Sequence, residues 1–119
     1  MIMLPSRVKR VEELVKEQIA LIIQQEMKDP RLGFVTVTDV KVSKDLQNAN
    51  IFIIVHEETE KHIAEVLKAL DTASGFIRHI LGQRMALRYL PILKFHYDKS
   101  FQEADRIETL IHQIHANEK

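Results

Sequence analysis

The stretch Ala49-Asn50-Ile51-Phe52-Ile53-Ile54-Val55-His56 is apolar at nearly every position. It has the length of a strand, and so continuous a run reads as a central strand covered on both faces. A chain that contains it must supply sheet neighbours for both edges. Gly33 opens one of them. The sequence FVTVTDVKVS sets Val35 and Val37 against Thr36 and Thr38, then resumes with Val40 and Val42. The apolar parity switches near Asp39, which predicts a β-bulge there. SKDLQN supplies turn residues, and the link is short enough for an antiparallel hairpin. ILKFHYD alternates Leu93, Phe95 and Tyr97 as a third strand.

Three segments carry helical spacing instead. The first runs from about Ser6 to Lys28, with Val8, Val11, Val15, Ile19, Ile22 and Ile23 forming an apolar stripe. Ser6 is its expected N-cap, and Asp29-Pro30 ends it. The second lies between Lys68 and Pro91 and continues a stripe begun at Ile63, Val66 and Leu67. Leu70, Ile77, Ile80 and Leu81 carry that stripe through an interruption at Ala73-Ser74-Gly75, where a strong helix former is expected. The third starts at a capping box of Ser100 and Glu103 and buries Ile107, Leu110, Ile111 and Ile114. The order is helix, strand, strand, interrupted helix, strand, helix. It specifies an α+β fold with helices packed on a three-stranded sheet.

The 119 residues have the size of one domain, 1–119, with flexible ends at about 1–5 and 116–119. Apolar residues at 45% and charged residues at 29% fit a folded chain rather than a disordered one. With no Cys, disulfides and thiolate metal sites are excluded. MIMLPSRVKR lacks the longer apolar core of a signal peptide, and the runs IALII and IFIIV are too short to span a bilayer. A cytoplasmic protein without membrane association is expected.

The charges sum to zero, 17 basic against 17 acidic, but they are unevenly placed. From Thr72 to Tyr97 no acid occurs, while Arg78, Arg84, Arg88 and Lys94 do. Arg7, Lys9 and Arg10 open the first helix without a carboxylate among them. The helix dipole disfavours cations there by roughly 0.3–1 kcal/mol each, a mild conflict that an external anion would relieve. A basic face toward a polyanion is one reading, and a solvated mosaic surface is the other.

No nucleophile–base–acid set, phosphate loop or dinucleotide fingerprint is legible. Six His residues include His112 and His115 at i, i+3, but no third metal ligand is evident. His beside a helix C-terminus is the simpler account, so neither metal nor cofactor is expected. The aromatic residues Phe34, Phe52, Phe76, Tyr89, Phe95, Tyr97 and Phe101 mostly hold core parity. The interrupted helix between strands has the pattern of a KH domain, whose GXXG loop clamps a nucleic-acid backbone. Gly75 has no glycine at Thr72 or Arg78 to complete that loop. Ala73-Ser74-Gly75 therefore either exposes a few amides, with Arg78 one turn beyond, or is a kink for close packing shared with Gly82.

The chain also resembles the ribosome-binding factor A family across nearly its whole length. The resemblance rests on RVKRV with Arg7 and Arg10, KDPRLG from Lys28 to Gly33, KDLQNANIF with Asp45 and Ala49, ASGFIRHILGQRMALRYLP, and FHYDKS. It implies a type II KH-like domain, order α-β-β-α(kink)α-β-α, in which an Ala-x-Gly kink replaces the GXXG loop. Ala73, Ser74 and Gly75 fit that kink. It further implies a non-catalytic assembly factor that binds the free 30S small subunit or its precursor through 16S rRNA. Such a factor assists late maturation of that RNA, including its 5′ end, and serves growth in the cold. Ile92, Ala104-Asp105 and the short HANEK terminus depart from the family pattern.

Together these readings place RNA contacts at Arg7, Lys9, Arg10, Ser74, Gly75, Arg78, Arg84 and Arg88, on a monomer without a small-molecule substrate. A protein–protein module of the same fold is the alternative. A small enzyme on this scaffold is a third class, for which no catalytic set is seen.

Overall fold

The computed structural model describes residues 3–27, 29–32, 35–56, 59–86 and 90–100. Its first helix, α1 (Met3–Glu26), starts before the expected cap, so Ser6 lies inside the helix. Pro5 explains the difference. In a first turn its missing N–H leaves nothing unsatisfied and its fixed φ is already helical. Val15, Ile19, Ile22 and Ile23 form the buried stripe, and Val11 packs at its edge. The helix stops at Glu26, and a 3₁₀ turn, Pro30–Leu32, drops Leu32 into the core.

Strand β1 (Val35–Val42) pairs antiparallel with β2 (Asn48–Val55), and β3 (Ile92–Tyr97) pairs parallel with the other edge of β2. β2 is thus central, as its apolar run requires. Cover on both faces is not found among the described residues. Ala49, Ile51, Ile53 and Val55 are buried in one core with α1, whereas Asn50, Phe52 and Ile54 on the opposite face are half-buried. Phe52 instead leans on the ring of His96 in β3, with ring centroids 5.3 Å apart. An apolar run in a sheet can reflect such lateral packing as well as a second covering layer.

The parity switch is a real bulge: Val37 faces Ile53 and Asp39 faces Phe52, leaving Thr38 as the extra residue. Its hydroxyl donates to Asp98 Oδ2 and lies 3.2 Å from the Phe52 carbonyl oxygen. The bulge thereby ties β1 to the end of β3 across the middle strand. Asp98 extends the parallel ladder by donating its N–H to Ile53 O at 2.8 Å. Its Oδ1 accepts from Ser100 N at 3.0 Å, and residues 99 and 100 are helical. Asp98 is therefore the cap, not Ser100. The expected final helix beyond it, with Glu103, lies outside the described residues.

Parallel pairing demands a long crossover between β2 and β3. Helix α2 (Glu60–Arg84) provides it, capped by Thr59, whose Oγ1 accepts from His62 N at 3.1 Å. The expected division of this helix at Ala73-Ser74-Gly75 is corrected, because α2 is continuous. A glycine costs about 1 kcal/mol against alanine within a helix. Burying Val66, Leu70, Ile77 and Leu81 on either side outweighs that, at roughly 1.5–3 kcal/mol per large aliphatic side chain. Thr72 Oγ1 donates to Lys68 O (2.9 Å) and Ser74 Oγ to Asp71 O (2.7 Å), a back-bonding that bends helices without breaking them. The helix ends at Arg84, well before Pro91, with Met85 N–H still donating to Leu81 O. The order follows the expected KH-like sequence of elements through β3.

The two glycines of α2 differ. A Cβ on Gly75 would meet nothing within 4 Å, and neither glycine has a positive φ. A Cβ on Gly82 would lie 2.7 Å from Leu90 Cδ1. The close-packing site is Gly82, not Gly75. Gly75→Ala should raise unfolding stability by about 0.5–1 kcal/mol in urea titration. Gly82→Ala should fall short of that gain because Leu90 must move; equal effects would contradict the packing.

Asp98 also makes a pH prediction. The Ser100 hydroxyl and then the Thr38 hydroxyl hold its carboxyl below the ordinary 3.8. Stability from a carboxylate depressed in the folded state is complete above its unfolded pKa and is lost as pH falls through the lower, folded one. The stability gap between wild type and Asp98→Ala should be constant near neutrality and shrink below about pH 4. A gap unchanged down to about pH 2 would exclude this linkage.

Candidate nucleic-acid interface

The cations at the start of α1 are the first requirement of the polyanion reading. Arg7, Lys9 and Arg10 are all exposed there, and the first turn holds no acid. The nearest carboxylate in sequence, Glu12, is engaged elsewhere: its Oε2 accepts from Val42 N at 2.9 Å. That bond fastens the α1 start to the end of β1. Sequence reasoning missed two cations near that bond in the chain, Lys41 and Lys44, which are both exposed. Nothing in their spacing marks them, and Lys41 lies on the face of β1 opposite the buried Val40 and Val42.

The hairpin that follows is internally braced. Asp45 Oδ1 accepts from Gln47 N at 3.0 Å and from the Ser43 hydroxyl, while Asn48 N donates to Ser43 Oγ at 3.0 Å. The Ser43 hydroxyl, then the Gln47 amide, hold the Asp45 carboxyl below its usual range. Leu46 closes the turn at φ 62°, a left-handed conformation unusual for leucine, with its side chain packed on the core.

The second expected cluster, on α2, is largely engaged within the fold. Ala73, Ser74 and Gly75 keep their amides in a continuous helix, so these are not free to meet phosphates. Ser74 is half-buried, and Gly75 is exposed. Arg78 donates from Nε to Pro91 O at 3.0 Å and from Nη2 to Leu90 O at 2.8 Å. It is a clamp on the segment entering β3 rather than a free cation. Arg84 Nη2 meets Glu26 Oε1 at 3.2 Å, their side chains 26% and 43% exposed. Arg88 lies outside the described residues.

The structure therefore groups Arg7, Lys9 and Arg10 but separates them from Arg84. Arg84 pairs at the far end of α1, about 24 Å of helix from Arg10 at 1.5 Å per residue. Two aromatic residues expected in the core are not there. Phe76 on α2 is 50% exposed, and Phe52 lies on the open sheet face. Phe95 and Tyr97 do pack against the core, whereas Phe34, Tyr89 and Phe101 lie outside the described residues. Among the described residues no group of His or acidic side chains is arranged to hold a metal. His112 and His115 lie outside them. No described helix is long and apolar enough to cross a membrane.

Comparison with known proteins gives one consistent answer. The family model described as ribosome-binding factor A matches residues 7–111. A ribosome-binding factor A from Shewanella sediminis (strain HAW-EB3) is 43% identical over 109 residues, covering 92% of this chain and 76% of the relative. The crystal structure of ribosome-binding factor A from Thermus thermophilus superposes with a TM-score of 0.67 at 31% identity, over 76% of this chain and 94% of the other. A homology model of Thermus thermophilus ribosome-binding factor A, fitted into a cryo-electron-microscopy map of a 30S complex, aligns with a TM-score of 0.64 at 31% identity. That alignment covers 76% of this chain and 93% of the other.

The clamp makes Arg78 a stability residue. Arg78→Ala should lower unfolding free energy by about 1.5–3 kcal/mol, the range for hydrogen bonds from a charged donor. Arg78→Lys should recover only part, because an ammonium lacks the fork that reaches both carbonyls. A melt of Arg78→Ala matching wild type would return Arg78 to the list of free cations.

Proposed function

The chain belongs to the ribosome-binding factor A family, and from that premise we propose that it is a non-catalytic assembly factor docking on the free 30S subunit or its precursor through 16S rRNA. The observation that carries the RNA contact is the trio Arg7, Lys9 and Arg10. They are exposed at a helix N-terminus that lacks any acid in its first turn. Phosphates beside them relieve the repulsion between these cations and the positive end of the helix dipole. The related Thermus thermophilus protein fitted in a 30S complex supports the same partner.

The remaining candidates take different parts. Arg84 is partly neutralised by Glu26 and adds less. Gly75 and Ser74 offer a low surface on α2, where an RNA backbone approaches closely without receiving amide hydrogen bonds. Arg78 acts through position, by holding the segment that leads into β3. The protein works as a one-domain monomer without a cofactor. Its role extends to late maturation of the 16S rRNA, including the 5′ end, and to growth in the cold. A protein–protein module is the competing reading, and ribonuclease treatment of the complex separates the two because only a protein contact survives it.

Cosedimentation with free small subunits tests the electrostatic core of this reading. Neutralising three phosphates on single-stranded RNA corresponds to a log–log salt slope of about −2. The triple variant Arg7→Glu, Lys9→Glu, Arg10→Glu should remove about that much of the wild-type slope and weaken binding, with little change in the thermal melt. Wild-type affinity and slope in the triple variant would refute the assignment.

A further inference from the structure

The face of the sheet turned away from the shared core carries an ordered set of side chains. Register places Lys41, Asn50 and Lys94 in one cross-strand row and Asp39, Phe52 and His96 in the next. Lys41 and Lys94 are exposed and flank the middle strand at about 10 Å, two strand spacings apart. Among the described residues neither is ion-paired. Asn50, between them, reaches into the next row: its Oδ1 lies 2.8 Å from His96 Nε2, which fixes the imidazole. The His96 ring stands 5.3 Å from the Phe52 ring, tilted by 30°. The two acids on this face are engaged: Asp39 Oδ1 accepts from Val40 N, and Asp98 accepts from Thr38 and Ser100. Charge is therefore graded, with the lysines toward the hairpin and the engaged acids toward the other end.

We propose that this open sheet face binds single-stranded RNA, with Lys41 and Lys94 holding phosphates and the Phe52–His96 pair stacking a base. A ring pair in the row beside two cations on a sheet suits an unstacked base, because stacking needs a free π-face. A duplex hides those faces, and its recognition runs through grooves and backbone shape. An acidic peptide would match the lysines but has no planar group to lay on the rings. The inference rests on the RNA reading above and adds a second surface to it. The α1 start is tied to the strand that carries Lys41 through the bond from Val42 N to Glu12 Oε2.

The test uses the full chain with a fluorescent ten-nucleotide single-stranded RNA, a hairpin duplex RNA and free small subunits. Three proteins are compared with wild type: Lys41→Glu with Lys94→Glu, Phe52→Leu, and the α1 triple charge reversal. The lysine pair is exposed, so its variant folds even if Phe52→Leu does not. Ultraviolet crosslinking of the single strand to wild type reports on Phe52 without mutation. Both sheet variants should bind the single strand about tenfold more weakly, and crosslinks should fall within 48–55 or 92–97. If the sheet variants bind like wild type while the α1 variant loses subunits, the sheet proposal is wrong and the function stands. If all three variants bind like wild type, both readings fail. If the sheet variants lose subunits but wild type binds no single strand, the face docks protein and the RNA proposal is overturned. Preference for the duplex also overturns it.

Discussion

Strand β2 must be paired on both edges, and its two neighbours run in opposite directions. The antiparallel neighbour is reached by a hairpin whose turn is closed by Ser43, Asp45 and Asn48. The parallel neighbour needs a crossover, and α2 is that crossover. A crossover helix delivers the chain back to the starting end of the sheet but does not by itself align the next strand. Alignment comes from a few polar contacts: Arg78 on the Leu90 and Pro91 carbonyls, Ile92 N on Gln47 O, and Asp98 against Thr38. The register of β3, and the order of side chains on the open face, depend on them.

This dependence explains the acid-free stretch from Thr72 to Tyr97. A cation needs a counter-charge, but that need not be a carboxylate close in sequence. Arg78 finds carbonyl oxygens, and Arg84 finds Glu26 in another helix. A run without acids therefore does not by itself measure free positive charge. At the α1 start the same argument points the other way: the described acid closest in the chain, Glu12, is bonded to a β1 amide.

What was legible in the sequence follows the same division. Periodicity located both described helices and all three strands, and the parity change at Asp39 located the bulge, because burial on one face imposes those patterns directly. Helix ends were less legible. Pro5 is as acceptable within a first turn as outside it, and Asp98 competes with Ser100 as a cap. The two-sided cover assigned to β2 is not found among the described residues, where Phe52 on the second face leans on His96 of β3. The site was read least well. Arg78, Arg84, Lys41 and Lys94 are alike as residues, and only register and packing divide the clamp and the ion pair from the exposed cations.

Ala73-Ser74-Gly75 is the one stretch of α2 whose composition the helix itself does not require. A glycine in a helix has three physical justifications: a left-handed φ, a neighbour too close for a Cβ, or a need for local freedom. Gly75 has neither of the first two among the described residues, while Gly82, on the same helix, has the second through Leu90. Hydrogen bonding through α2 is continuous, so the third is not expressed as a break. What remains is a bare patch beside exposed Phe76, kept at some cost in helix propensity. Among the described residues no close neighbour justifies it. On the proposed RNA reading its neighbour is a sugar–phosphate backbone lying against the helix surface, with shape rather than amide donors setting its position.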